Sequence, residues 1–149
     1  MSYGRVEING KWYLEKFHVY PLTLTLLNNQ ILTNQRVVMQ GDADFWLKYL
    51  ARDWTVAGAG TGFKFRLYNS DGTNYTQAPN APANAAPFAG TTDRVRDSLL
   101  FGNGALPFPV IPHILFSKTG AISFDIEDLA SGGQTIDFAF IGSLLFPID

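Results

Sequence analysis

Apolar and polar residues alternate along much of this chain with the period of two that is typical of β-strands. Between residues 22 and 26, three leucines alternate with two threonines, which predicts a half-buried strand over residues 17–27. Pro21 has no backbone N–H, so it indicates an edge, a bend or the beginning of this strand. The Asn28-Asn29 pair is expected to form the turn that ends it, and residues 30–40 are predicted to be extended.

The C-terminal part of the chain shows the same alternation twice. Residues 121–129 and 135–146 each place Ile or Phe at every second position over several residues. Ser131-Gly132-Gly133 separates the two runs and has the composition of a hairpin loop. We therefore predict that the two runs are neighbouring antiparallel strands.

Four further segments are predicted to be strands: residues 45–50, 63–68, 98–101 and 110–116. The first of them also fits a helix that Asp42 would cap, and we favour the strand because the neighbouring segments are extended. A glycine-rich loop is expected at residues 57–62, and a turn is expected at Ser70-Asp71-Gly72.

About eight strands and no convincing helix predict an all-β fold, a two-sheet antiparallel β-sandwich of jelly-roll type. We expect one domain over residues 1–149, with a long loop rich in Ala, Pro and Asn at about residues 74–92. Such a loop has few groups with which to build a core, so it is interpreted as an arm that contacts another subunit. Deleting residues 78–90 should leave the sandwich folded but weaken attachment or self-association.

The composition changes this picture in one respect. Of the 149 residues, 46% are hydrophobic and 14% aromatic, and only 16% are charged. Because so little charge is available to cover a monomer, we expect part of the surface to be buried against partner subunits. The net charge of −2 without a basic run argues against nucleic-acid binding. MSYGRVEING lacks a signal-peptide pattern and no apolar run reaches membrane-spanning length, so a soluble protein is expected.

Candidate chemistry is sparse. The sequence contains no cysteine, and its two histidines, His18 and His113, each stand alone between apolar neighbours. Two groups of carboxylates, at positions 42 and 44 and at positions 125, 127 and 128, could in principle serve acid–base chemistry or hold calcium. A solvated turn explains the pair at positions 42 and 44 better. The glycines at 57–62 lack the Lys-Ser/Thr ending of a phosphate loop. We therefore assign no catalytic, cofactor-binding or metal-binding residue and predict that the protein is not an enzyme.

Three segments of the chain resemble small structural proteins of tailed bacteriophages: GDADFWLKYLA, GFKFRLYNSDG and the Pro-rich strand with the two alternating runs that begins at LPFPVIPHILF. The resemblance covers roughly residues 36–146 and matches poorly at residues 78–90. It implies a jelly-roll capsid cement or decoration protein, which sits on the head at junctions between major capsid subunits, often as a dimer or trimer. It carries over no catalytic residue.

The sequence thus predicts a virion protein that is assembled in the host cytoplasm and binds the major capsid protein or other virion proteins, as a homo-dimer or homo-trimer without nucleic acid or membrane. The alternatives are a tail, neck or fibre-base protein and a carbohydrate-binding module, for which the available aromatic residues are Trp12, Trp46, Trp54, Tyr68 and Tyr75. The predicted protein-interface residues are Trp12, Tyr75, Pro79, Pro82, Pro87 and Phe88.

Overall fold

The computed structural model describes residues 4–56, 59–69, 75 and 95–148. In this part of the chain there are nine strands and one short helix, α1 (Asp97–Leu100). The strands are β1 (Gly4–Ile8), β2 (Lys11–Leu26), β3 (Ile31–Val37), β4 (Asp44–Val56), β5 (Ala59–Asn69), β6 (Val95–Arg96), β7 (Phe108–Phe116), β8 (Ile122–Ser131) and β9 (Gln134–Pro147). None of the described helical residues forms a helix long and apolar enough to cross a membrane.

The strands form two antiparallel sheets. Their orders are β1-β2-β9-β4-β7, the five-stranded sheet, and β3-β8-β5-β6, the four-stranded sheet. Strands pair in a nested sequence: β2 with β9, β3 with β8, β4 with β7 and β5 with β6. A long hairpin rolled into two sheets has this order, which is that of a jelly roll. The predicted all-β sandwich is confirmed. The described residues contain nine strands rather than eight, because β1 and β6 were not predicted and the predicted strand at residues 98–101 is absent.

The two sheets enclose a core dominated by aromatic rings. The Phe138 ring centroid lies 5.5 Å from that of Phe63 and 5.6 Å from that of Phe101, and Phe65 stacks on Phe124 at 4.9 Å. Edge-on and offset arrangements of this kind are favourable beyond the apolar area they bury. The core positions predicted from alternation are buried: Phe63, Phe65, Leu67, Ile122, Phe124, Ile126, Ile136, Phe138 and Phe140.

The predicted hairpin of the two C-terminal runs is wrong. β8 belongs to the four-stranded sheet and β9 to the five-stranded sheet, so the chain crosses between sheets at Gly132-Gly133. Both glycines have φ near +83°, in the left-handed region that glycine adopts at little cost. A Cβ on Gly133 would lie 2.8 Å from the carbonyl oxygen of Leu26, so the crossing is also a close approach of two backbones.

The strand interpretation of residues 45–50 is confirmed, with one change. Phe45 and Leu47 are buried, but a register shift lies between Leu47 and Tyr49. After such a bulge the following side chains change faces. Leu50 therefore enters the core at 2% exposure, whereas Tyr49 is 41% exposed on the outer side.

Two other local predictions are corrected. Residues 98–101 are not a strand, because α1 begins at Asp97, whose buried carboxylate accepts hydrogen bonds from Arg52 Nε and the Phe63 amide. Residues 59–62 of the expected glycine-rich loop belong to β5. Gly62 has a φ of +89°, and a Cβ there would lie 2.6 Å from the Asp97 carboxylate, so glycine makes room for this contact.

Pro21 lies at a sheet edge, as predicted. β1 pairs only with residues 11–15 of β2. At Pro21, β2 pairs with β9 on one side, and no described strand pairs with it on the other side. The predicted turn at Asn28-Asn29 is also present. The predicted turn at residues 70–72 lies outside the described residues.

Candidate functional site

An apolar cleft opens at the edge of the sandwich beside β7. It has a volume of about 200 Å³, and Leu50 and Leu67, which line it, are core residues at 2% exposure each. We call it the β7 cleft, and its lining residues are Leu50, Leu67, Tyr75, Leu100, Phe108, Pro109, Val110, Ile111 and Ile114.

The β7 cleft lies where β7 departs from regular pairing with β4. Leu47 pairs with Ile114, and Tyr49 pairs with Pro109. Between these two pairs β4 advances by two residues, whereas β7 advances by five. The additional residues of β7 bulge out of the pairing. On the opposite sheet, β6 consists of Val95–Arg96 and pairs with two residues of β5.

Tyr75 joins the two sheets across the cleft. Its amide donates a hydrogen bond to the carbonyl oxygen of Leu67 at 2.8 Å, and its hydroxyl accepts one from Asn69 Nδ2 at 3.0 Å. Its ring lies edge-on to Phe116 of β7, with 5.8 Å between the centroids. Tyr75 is thus anchored to β5 and β7 while 36% of it stays exposed.

The rim of the β7 cleft is apolar as well. Ile111 is 83% and Phe108 45% exposed, and exposed apolar groups around a cleft are typical of interaction sites. Pro109 and Pro112 are exposed in the same edge strand, where they hinder the addition of a further strand. A partner would therefore bind here through side chains that enter the cleft.

A second apolar surface lies on the outer face of the five-stranded sheet. Residues that are in register on adjacent strands share a face, and Phe17 and Tyr49 on this face are 70% and 41% exposed. We call it the outer-face patch. Three rows of residues in register across the strands make up this face. The large row is Phe17, Ser143, Trp46 and Leu115, the middle row is Val19, Ile141, Tyr49 and Pro109, and the small row is Pro21, Ala139 and Ala51. Ser143 and Ala51 are buried beneath their neighbours and contribute little to the exposed surface.

The charges beside the large row neutralise each other. Lys48 forms an ion pair with Glu15, and its Nζ lies 5.0 Å from the centre of the Trp46 ring. Partial burial alone would raise the pKa of Glu15, but hydrogen bonds from Lys48 and Ser143 outweigh it and lower that pKa. At the other end of the patch, hydrogen bonds from two threonine hydroxyls lower the pKa of Asp137.

Of the predicted interface residues the structure describes two, Trp12 and Tyr75, and it places them at opposite edges of the sandwich. Trp12 lies at the β1–β2 edge of the five-stranded sheet, 48% exposed and paired in register with Glu7. Tyr75 lies at the opposite edge, in the β7 cleft. The remaining predicted residues, with most of the predicted loop at 74–92, lie outside the described residues: Pro79, Pro82, Pro87 and Phe88.

The histidines lie on opposite faces of one sheet. His18 packs edge-on against Tyr20 at 4.4 Å on the core side, and burial, followed by the charge of Lys16, lowers its pKa. His113 packs against Trp46 at 4.8 Å on the outer side, and burial lowers its pKa too. Among the described residues no group of three or more His, Asp or Glu could hold a metal ion.

The acidic run at residues 125–128 is divided between two faces. Asp125 is fully buried and accepts hydrogen bonds from Arg66 Nη1, the Tyr68 hydroxyl and the Asn34 amide. Asp128 points the other way and accepts from the Asn29 amide and from Gln134. Both carboxylates therefore connect β8 to neighbouring segments of the fold. Asp44 accepts from the Lys118 amide.

The aromatic residues considered for sugar binding are dispersed. Trp54 donates a hydrogen bond from Nε1 to Gln134, and Tyr68 donates to Asn34 on the four-stranded sheet. Trp46 faces outward, but Lys48 lies over its ring. Among the described residues these side chains form no common stacking platform.

Sequence reasoning missed most of both surfaces. A signal for the outer-face patch was present, since β2 is apolar on both sides: Phe17 and Val19 alternate with Tyr20 and Leu22. The exposed Ile111 lay within a predicted strand, but only the bulge in β7 shows that it points away from the sheet pairing.

Comparisons with known protein families, curated proteins and solved structures find no match to this chain. The resemblance to tailed-phage structural proteins therefore stays a prediction.

Proposed function

We propose that this chain is a non-enzymatic virion structural protein, a cement or decoration protein that binds the shell of the major capsid protein and stabilises the head. The β7 cleft is the observation that carries the proposal. It offers an apolar opening of about 200 Å³ at the edge of the sandwich, which suits the capture of a large apolar side chain from a neighbouring protein. The sequence resemblance supplies the choice of a capsid as that neighbour.

The mechanism is attachment by many identical weak contacts. Burying one large apolar side chain contributes roughly 1.5–3 kcal/mol, which alone gives weak binding. A shell repeats the same contact at every equivalent position, so a protein that touches two subunits gains from the effective concentration of the second site. Separating the subunits then requires breaking each bridge.

The test is co-sedimentation of purified chain with heads of the encoding phage that lack both this protein and tails. Ile111→Asp places a carboxylate on the cleft rim and should weaken binding at least tenfold, because about 1.4 kcal/mol corresponds to that factor. The control is Val38→Asp, since Val38 is 88% exposed and does not line the cleft; it should bind like the parent.

Equal binding of the two variants to heads would contradict the role of the cleft. If the parent chain ignores heads but sediments with isolated tails or neck complexes, the alternative of a tail, neck or fibre-base protein replaces the head proposal. Binding to glycans alone would replace both.

A further inference from the structure

The loop between α1 and β7 contains an Asn-Gly pair whose neighbours are arranged for a reaction. The amide nitrogen of Gly104 donates a hydrogen bond to Asp53 Oδ2 at 3.2 Å. Asn103 Oδ1 accepts hydrogen bonds from the amides of Ala105 and Leu106 at 3.0 Å and 2.7 Å. We propose that Asn103 and Gly104 form an autocatalytic deamidation site, at which the chain itself converts Asn103 to aspartate or isoaspartate. This activity goes beyond the proposed function and does not rest on it.

The reaction needs a nucleophile, an electrophile and a route for one proton. The nitrogen of Gly104 attacks Cγ of Asn103, and the new N–C bond closes a five-membered succinimide ring. The proton of that N–H passes to the Asp53 carboxylate and from there to Nδ2 of Asn103, which leaves as ammonia when the Cγ–Nδ2 bond breaks. Water is the one other reactant: it opens the ring at either carbonyl, which gives aspartate or isoaspartate.

The two amide donors lie where negative charge develops. During the attack Cγ of Asn103 becomes tetrahedral and the charge appears on Oδ1. An oxyanion hole requires donors at about 2.7–3.1 Å from such an oxygen, and the amides of Ala105 and Leu106 lie at 3.0 Å and 2.7 Å. The same two hydrogen bonds fold the carboxamide over the chain that follows it, which brings Cγ towards the nitrogen of Gly104.

Strand β4 holds this loop in place. The Arg52 amide and Arg52 Nη1 both donate hydrogen bonds to the carbonyl oxygen of Gly102, at 2.9 Å and 3.3 Å. A Cβ on Gly102 would lie 1.9 Å from the carbonyl oxygen of Leu106, so the loop closes tightly on itself. A Cβ on Gly104 would lie 3.0 Å from Asp53 Oδ2, so glycine gives the carboxylate room beside the nitrogen. Reacting groups that are fixed in this way need less ordering to reach the transition state.

The sequence contains one other Asn-Gly pair, which serves as an internal reference. Asn9 and Gly10 form the exposed turn between β1 and β2, with φ of +51° and +81°. Within the part of the chain that the structure describes, the Asn9 side chain and the Gly10 amide have no side-chain or amide partner comparable to those at Asn103. The two pairs share the same dipeptide chemistry, so a difference in rate in the folded chain reports the surroundings of Asn103.

The first test is incubation of the purified full-length chain at neutral pH, followed by peptide mapping with mass spectrometry that resolves asparagine, aspartate and isoaspartate. In the folded chain Asn103 should convert at least tenfold faster than Asn9, since a positioned acid–base group contributes roughly 10²–10⁴-fold. In urea that unfolds the chain, the ratio of the two rates should fall towards one. Conversion of Asn103 no faster than that of Asn9 in the folded chain, or a ratio that urea leaves unchanged, would overturn the proposal.

The second test concerns the base. Asp53→Asn keeps an oxygen that can accept the hydrogen bond from Gly104 but takes up no proton, so conversion of Asn103 should slow at least tenfold while Asn9 converts as before. The matched control is Asp137→Asn, because Asp137 lies beside Asp53 in the register of the five-stranded sheet; conversion should proceed as in the parent. An unchanged rate in Asp53→Asn, or equal slowing in both variants, would show that Asp53 is not the base.

The pH dependence separates a base from a residue that only holds the loop. A rate that depends on a carboxylate base changes little around neutral pH, whereas uncatalysed deamidation rises with the hydroxide concentration. The rate at Asn103 should therefore be nearly constant over the range in which the rate at Asn9 rises steeply. The same steep rise at both sites would contradict the role of Asp53.

Discussion

The crossing between the sheets at Gly132-Gly133 can be tested with a pair of matched substitutions. Both residues have φ near +83°, so alanine at either position is held in the left-handed region at a cost of about 1–2 kcal/mol. Alanine also restricts the unfolded chain, which offsets about 0.4–1 kcal/mol of that cost. At Gly132 a Cβ would meet nothing within 4 Å, so Gly132→Ala should destabilise the protein by about 1 kcal/mol.

Gly133→Ala should be costlier, because its Cβ would lie 2.8 Å from the carbonyl oxygen of Leu26. The clashing atom belongs to the backbone of β2, and no side-chain rotation can relieve it. Overpacking of this kind costs about 1–3 kcal/mol, which brings the total to about 2–4 kcal/mol. The two variants should therefore differ by at least about 1 kcal/mol.

Urea unfolding, followed by tryptophan fluorescence, measures both changes, and equal slopes would show that the unfolding reaction is the same. If the two variants lose the same stability, the close approach of β2 to the crossing is wrong. A hairpin between β8 and β9 would give that result, because its loop would stand away from Leu26.

Three further predictions concern the core and its pH dependence. Phe138→Ala should cost about 3–5 kcal/mol, whereas Phe17→Ala, at 70% exposure, should cost less than about 1 kcal/mol; similar losses in urea unfolding would contradict the packing described. Asp125→Asn should cost about 3 kcal/mol, because it removes the negative charge from a buried ion pair with the Arg66 guanidinium. A melting temperature like that of the parent would contradict this. The pKa of His18 is lowered by burial and then by a nearby lysine, so the folded state binds fewer protons than the unfolded state and stability is lost as the pH falls from about 6.5 towards the folded pKa. In urea titrations, His18→Gln should therefore lose less stability than the parent between pH 7.5 and 5.5. An unchanged loss would show that His18 is not responsible.

The sequence predicted the layers of the fold better than its connections. Alternation determines which face of a strand is buried, so the core positions of β5, β8 and β9 were correct. It does not determine which strand lies alongside, and two alternating runs joined by Gly132-Gly133 fit a hairpin as well as a crossing between sheets. β8 and β9 belong to different sheets, because the left-handed glycines between them redirect the chain from one sheet to the other.

Short segments were predicted least well, because tertiary contacts decide them. Residues 97–100 form a helical turn held by the contacts of Asp97 with Arg52 and Phe63, and no local pattern of four residues indicates this. β1 was missed although Asn9-Gly10 has positive φ at both positions, the conformation of a two-residue hairpin turn that this dipeptide favours.

The candidate surfaces could be predicted only in part, because each combines residues that are distant in the sequence. Tyr75 was predicted as an interface residue, but its partners in the β7 cleft come from β4, β5, α1 and β7. The outer-face patch depends on β9 lying between β2 and β4, which places Phe17 and Trp46 in one row with Ser143. These three residues are far apart in the sequence, so no local pattern predicts that they lie side by side.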